Sequence, residues 1–235
     1  MIHTLQTWGK DLMHFFFPHI CAGCGSDLIL PDQTVCIQCH TSIPETGFSV
    51  ITGNPIEKIF YGRLPVVAAT SCYFFTKDTA LQNLIHALKY KGRQEVGIQL
   101  GRWMGIQLKE SARFNTIDLL VPMPLFKDRE RKRGYNQAAL LCHGIAEITG
   151  IPVETNWIGR LKATATQTRK GRNERWENVQ DSFRVLDSEK LQGKHILLVD
   201  DVITTGATLE ACGSCITSIA QTRLSIATLA WASDD

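Results

Sequence analysis

Ile196-Leu197-Leu198-Val199-Asp200-Asp201-Val202-Ile203-Thr204-Thr205-Gly206-Ala207-Thr208 is the stretch that decides the fold. Its first four residues make a short, unbroken apolar run, as expected of a strand buried on both faces of a parallel sheet. The pattern after it predicts a helix from about Thr205 to Ala220 and a further strand from Leu224 to Trp231. Strand, loop, helix and strand in so short a span form a βαβ unit, with a right-handed crossover and parallel pairing. Asp200 and Asp201 are expected to leave the strand as adjacent carboxylates, in the crevice where open α/β sheets take ligands.

The loop chemistry is specific. A helix N-terminus offers unpaired N–H groups and partial positive charge, which suits a phosphate. The dipole contributes about 0.3–1 kcal/mol. Thr204, Thr205 and Thr208 add hydroxyl donors, and Gly206 lets the backbone approach an anion closely. Two carboxylates instead suit sugar hydroxyls or a metal ion. Side by side, the two sets describe a sugar phosphate. The competing reading is a strand end with solvated aspartates and an ordinary threonine cap. Neither GxxxxGK[ST] nor GxGxxG is present.

Working outward, helices and strands alternate. A strand is expected over Val66 to Phe75, then a helix capped by Asp78 with Leu81, Leu84, Ile85 and Leu88 on one face. A second helix covers 94–113. Ile117 to Val121 reads as a strand closed by Pro122-Met123-Pro124. Ala138, Leu141, Cys142, Ile145 and Ile148 give a helix stopping at Gly150. Val153 to Ile158 is a weak strand, and 160–180 reads as mostly loop.

Toward the N-terminus, Leu5, Trp8, Leu12, Phe15 and Phe16 fall at helical spacing before Pro18. Cys21-x-x-Cys24, eleven residues, and Cys36-x-x-Cys39 follow. Paired CxxC knuckles supply four thiolates to a tetrahedral zinc. So small a segment buries little core, and structural zinc contributes on the order of 10 kcal/mol in such modules. Redox pairing, or a remnant site without metal, stays open. His19 and His40 read as incidental, and Cys212-x-x-Cys215 as core packing. Prolines and glycines over 44–65 mark a connection, which divides the chain into 1–55 and 56–235.

Two basic runs stand out. Lys127, Arg129, Arg131, Lys132 and Arg133 interleave with Asp128 and Glu130, so a solvated loop competes with an anion site. Arg160, Lys162, Arg169, Lys170, Arg172 and Arg175 suit a lid that excludes water, or contact with nucleic-acid phosphates. Trp176 reads as packing. Of 235 residues, 44% are hydrophobic and 20% charged, with a net charge of +2, so no global basic field points to nucleic acid. No apolar run reaches the roughly 18–20 residues of a membrane span. Lys10, Asp11 and His14 interrupt any secretory pattern, and a cytoplasmic protein is expected.

Taken in order, the two CxxC pairs, Leu88-Lys89-Tyr90-Lys91-Gly92, Val121-Pro122-Met123-Pro124-Leu125, Arg133-Gly134-Tyr135-Asn136-Gln137, Gln167-Thr168 with Arg175, Asn178 and Phe183, and the Val199–Thr208 loop resemble the ComF family (ComFC/GntX-like). The loop itself resembles the 5-phosphoribosyl-1-pyrophosphate (PRPP) motif of type I phosphoribosyltransferases. Tyr135 stands where phenylalanine is expected. The resemblance implies an α/β fold with the parallel sheet of that enzyme class, behind a small four-cysteine zinc module on Cys21, Cys24, Cys36 and Cys39. It implies that Asp200 and Asp201 are the catalytic pair holding the ribose hydroxyls. Val199, Val202, Thr204, Thr205, Gly206, Ala207 and Thr208 complete the PRPP site. Met123, Pro124, Leu125 and Arg133 serve as the pyrophosphate loop, and magnesium accompanies PRPP. The implied activity is phosphoribosyl transfer linked to DNA uptake, competence or nucleotide metabolism. The alternatives are a non-catalytic adaptor for single-stranded DNA or a competence helicase-type protein, and a PRPP sensor without turnover. The fold leaves the acceptor open.

Overall fold

The decisive strand is longer than its apolar run. The computed structural model describes residues 19–30, 33–161 and 182–233. In it, β1 (Ala69–Phe74), β2 (Leu119–Pro122), β5 (His195–Ile203) and β6 (Arg223–Trp231) form a four-stranded sheet in the order β1-β6-β5-β2. Every pairing in this sheet is parallel. β3 (Ile158–Arg160) and β4 (Phe183–Val185) form a separate antiparallel ribbon. The helices are α1 (Ile37–Ser42), α2 (Pro55–Phe60), α3 (Ala80–Tyr90), α4 (Gln94–Lys109), α5 (Lys127–Arg133), α6 (Gln137–Thr149), α7 (Ser188–Leu191) and α8 (Ala207–Thr217).

Both faces of the sheet are covered, which is why β5 carries no polar alternation before Asp200. Leu197 and Val199 pack with Leu84, Leu100, Met104 and Leu141 of α3, α4 and α6. Ile196 and Leu198 pack with Ile56, Phe60, Leu209 and Ile216 of α2 and α8. The Cys-rich segment joins the first of these clusters, where Cys21, Cys36 and Cys39 are buried. Asn83 Nδ2 donates to the Gly23 carbonyl at 2.8 Å, and His40 stacks on Trp103 with ring centroids 4.0 Å apart.

Local chemistry corrected several expected boundaries. Asp78 adopts φ 58° and does not cap α3. Thr79 does, its hydroxyl accepting the Gln82 N–H at 3.4 Å. α4 stops at Lys109, and Ala112–Phe114 form a 3₁₀ turn. Val153 makes only an isolated bridge to Leu120, and the strand begins at Ile158. The first basic run is a helix: Asp128 and Glu130 lie in the first turn of α5, and Arg131, Lys132 and Arg133 in its last, which suits the helix dipole. Among the described residues no helix is long and apolar enough to cross a membrane. The expected helix over 4–16 and the run Lys162 to Asn178 lie outside the described residues.

α4 and α6 approach unusually closely because Gly97, Gly101 and Gly105 recur at four-residue spacing along α4. A Cβ on Gly101 would lie 2.2 Å from the Leu141 carbonyl oxygen, and one on Gly144 of α6 would lie 2.2 Å from that of Ile98. Backbone cannot yield as a side-chain tip can. Gly101→Ala and Gly144→Ala should each lower stability by about 1–3 kcal/mol or more, read as the midpoint shift in urea denaturation.

Candidate functional site

The two neighbours of β5 end at different heights. β2 pairs up to Pro122 opposite Val199, and the Met123 N–H closes that edge on the Val199 carbonyl at 2.8 Å. β6 continues, with Asp200 opposite Thr228, Val202 opposite Ala230 and Ile203 opposite Trp231. The acidic pair therefore lies inside the strand, not beyond it as expected, and its flank toward β2 is open. The Asp201 N–H donates to Asp200 Oδ1 at 2.8 Å. Burial, with the Asp201 carboxylate beside it, pushes Asp200 up to about 7 against the opposing pull of the Asp201 amide, Lys89 and Arg160. Asp201 Oδ2 accepts from Lys89 Nζ at 2.7 Å.

Beyond the strand, Thr204 and Thr205 are exposed. Gly206 turns left-handed at φ 75° against α2, where a Cβ would sit 2.6 Å from Ile59 Cγ2. No other residue meets both demands. α8 starts at Ala207, and its first helical bond runs from the Glu210 N–H to the Gly206 carbonyl at 2.9 Å. The amides of Ala207, Thr208 and Leu209 thus precede the hydrogen-bond ladder, and no side chain caps them. Glu210 in this first turn is ion-paired with Arg63, just past α2.

Met123 and Pro124 are buried at the top of β2, and Asn136 Nδ2 donates to the Met123 carbonyl at 3.0 Å. α5 then forms a partition between two clefts. On one side, a cleft of about 660 Å³ is lined by Lys89, Tyr90, Lys91, Arg129, Lys132 and Arg133. The Arg133 guanidinium sits 5.5 Å from the Tyr90 ring centroid. Tyr135 departs from the expected phenylalanine, and its hydroxyl donates to the Leu88 carbonyl at 2.5 Å, tying this wall to α3. On the other side, a cleft of about 580 Å³ meets Pro124, Leu125, Lys127 and Arg160. The structure thus brings Arg133 to one cleft and Pro124 and Leu125 to the other. Lys89 had no assigned role in the sequence, because helical periodicity marks only the apolar face of α3. Its sole signal was its place in the Leu88–Gly92 run.

The four N-terminal cysteines converge, with their Sγ atoms all within 4.8 Å of one another. Cys24 Sγ and Cys36 Sγ are 3.8 Å apart. Four thiolates bound at about 2.3 Å in a tetrahedron are separated by about 3.8 Å, so this set can hold a metal ion. The Cys36 and Gly23 N–H groups donate to Cys21 Sγ at 3.2 and 3.4 Å. Burial raises the Cys21 thiol, but these backbone donors outweigh it and bring it down to about 6. Burial and the neighbouring thiols push Cys39 up. Neither His19 nor His40 belongs to the set. Cys72, Cys142 and Cys212 are buried singly in the core, and no cysteine among the described residues is in a disulfide.

Residues 157–234 match the family model described as a phosphoribosyl transferase domain. The chain is 31% identical over 194 residues to DNA utilization protein YhgH of Escherichia coli, covering 81% of this chain and 80% of that protein. Competence protein F of Haemophilus influenzae is 30% identical, with 82% and 76% covered. Competence protein ComFC of Bacillus subtilis is 26% identical, with 80% of each chain covered. Among solved structures, the Bacillus subtilis glutamine PRPP amidotransferase complexed with ADP and GMP aligns at 19% identity and TM-score 0.43, over 61% of this chain and 30% of that one.

Two outcomes follow from the site itself. Because Asp200 holds its proton more tightly when folded, its burial costs stability progressively from about pH 4 to about pH 7 and fully above that. Asp200→Asn should therefore melt higher than the parent at pH 8, with that gain gone at pH 4, in parallel thermal melts. Elemental analysis should find one metal ion per chain, lost in Cys36→Ser together with a lower melting temperature.

Proposed function

The chain belongs to the ComF family, and we propose that it binds PRPP with magnesium between the acidic pair of β5 and the partition helix α5. On this reading Asp200 and Asp201 accept hydrogen bonds from the ribose hydroxyls. The amides of Ala207 to Leu209 and the hydroxyls of Thr204, Thr205 and Thr208 take the 5-phosphate, with Gly206, Val199 and Val202 shaping the backbone around it. Met123 forms the floor beside the pyrophosphate, with Pro124 and Leu125 backing it from the side of the second cleft, and Arg133 with Arg129 faces its charge. The observation that carries the reading is the juxtaposition of donors and acceptors. An acidic pair with one open flank stands between an uncapped helix N-terminus and a cleft lined by five cations.

The chemistry that fits is phosphoribosyl transfer. The bond from the sugar to pyrophosphate breaks, positive charge develops at the sugar, and a nucleophilic atom of the acceptor bonds to the same carbon as pyrophosphate departs. Magnesium, when bound with PRPP, supplies charge stabilisation at the leaving pyrophosphate. The protein holds the sugar and offers the two carboxylates near the developing cation. Ionised Asp200 is the stronger acceptor for a ribose hydroxyl, so affinity should rise as pH rises through about 7. In the N-terminal module, zinc is the ion that suits four cysteine thiolates at this spacing. We place the boundary between module and transferase-like unit at residues 55 and 56, and the protein in the cytoplasm.

One observation favours a second reading, a single-stranded nucleic-acid partner. Tyr90 is 67% exposed at the edge of the same cationic cleft, and an exposed aromatic among cations suits stacking with backbone neutralisation. The name of the Escherichia coli relative speaks of DNA utilization. In the family context, a DNA-linked role and a PRPP site are compatible.

Calorimetry with PRPP and magnesium at pH 8 separates these readings. Wild type should bind, and Asp200→Asn and Asp201→Asn should each weaken binding by about tenfold or more. Release of pyrophosphate on adding an acceptor would then mark an enzyme. Equal affinity in all three proteins would contradict the site. For the nucleic acid, Lys91→Glu/Arg129→Glu should abolish salt-dependent binding of a labelled oligonucleotide, while Asp201→Asn leaves it intact. No binding by wild type would remove that partner.

A further inference from the structure

The second cleft, behind α5, has a charged centre that the PRPP reading does not use. It lies between α5, the start of α6 and the β3–β4 ribbon. Arg160, the last residue of β3, is its charged centre. The Arg160 guanidinium carbon sits 3.9 Å from the Phe126 ring centroid and 5.0 Å from that of Phe183. Its Nε is buried and has no hydrogen-bond partner among the described residues.

This arrangement restricts what can bind. Rings cover the guanidinium, so its remaining recognition surface is the in-plane edge. That edge carries donors only, in a fork that matches a carboxylate. Nε is closed to the cleft, so a carboxylate there would meet the terminal N–H groups of the fork. Charge agrees: Lys127, Arg160 and Arg184 meet this cleft, against Glu130 alone. The rest of the wall carries apolar Leu125, Ile158 and Leu186 together with polar Asn136, Thr155 and Asn156. Leu186, a large apolar side chain of this lining, is 60% exposed. At about 580 Å³ the cleft lies in the range of small-molecule sites. Burial and the nearby Arg129 make Arg160 a weaker base than usual, while Asp200 acts in the opposite sense, so Arg160 also lies within electrostatic reach of the acidic pair.

We propose that this cleft is a binding site for a small aromatic carboxylic acid, with the carboxylate on the Arg160 edge and the ring against Leu125, Ile158 and Leu186. The site goes beyond PRPP binding and does not require turnover. It places a ring acid on the opposite side of α5 from the cationic cleft, beside the sugar site.

Saturation-transfer NMR and calorimetry with nicotinate and benzoate test it. Nicotinamide supplies a ring without the charge, and acetate the charge without the ring. The two aromatic acids should bind at least about tenfold more tightly than either control. Arg160→Gln should cost a similar factor. Ala139→Phe, which adds a ring to the cleft wall from α6, should abolish binding even if Arg160→Gln folds poorly. Asp200→Asn should leave acid binding intact while weakening PRPP, so the two readings fail separately. Nicotinamide binding as well as nicotinate, acid binding that survives Ala139→Phe, or Arg160→Gln weakening PRPP and not the acids would each overturn the proposal.

Discussion

Everything in this structure hangs on one asymmetry of parallel pairing. β5 has β6 on one side to its last residue and β2 on the other only as far as Val199. Four residues of β5 past that point keep a paired edge and an open edge. An acidic residue in a fully paired strand centre would be buried without recourse, and one in a loop would be solvated and unperturbed. Asp200 sits between these limits, which is why burial raises it to about 7 and a neighbouring lysine can still reach Asp201. The buried apolar run before it anchors the strand, and the left-handed Gly206 after it turns the chain straight into α8.

α5 is the second organising element. Its position beside the open edge turns one broad crevice into two clefts of different character. The cationic one is tied to α3 through Lys89, Tyr90 and the Tyr135 hydroxyl. The other mixes apolar and polar side chains around Arg160. The four-cysteine module joins the same framework. Its cysteines pack into the core shared by α3 and α4, so a metal there would brace the helix whose last turn carries Lys89.

Much of this was legible in the sequence, for identifiable reasons. The apolar run Ile196–Val199 fixed a buried parallel strand because such strands lack alternation. The helices α4 and α6 followed from spacing, although the glycine stripe that lets them touch did not, since a missing side chain leaves no periodic signal. The CxxC pairs announced a four-cysteine cluster able to hold a metal ion, because paired knuckles bring four thiols together. What the sequence hid depended on pairing between distant segments. That Asp200 and Asp201 stay in the strand reflects where β2 stops, about 80 residues earlier. That the basic run Lys127–Arg133 is a helix reflects its charge order and Gly134, features easily outweighed by its polarity. Lys89 and Arg160 gained their meaning only once their partners were adjacent.

The central claim is that the open flank of β5 presents a carboxylate pair to the sugar of PRPP. Carbon-13 NMR titration of the Asp200 side-chain carboxyl, with and without saturating magnesium and PRPP, tests it most directly. Alone, Asp200 should titrate near 7. With ligand its midpoint should fall well below that, because ribose hydroxyls donating to the carboxylate favour the ionised form. A midpoint unchanged by ligand would contradict the account.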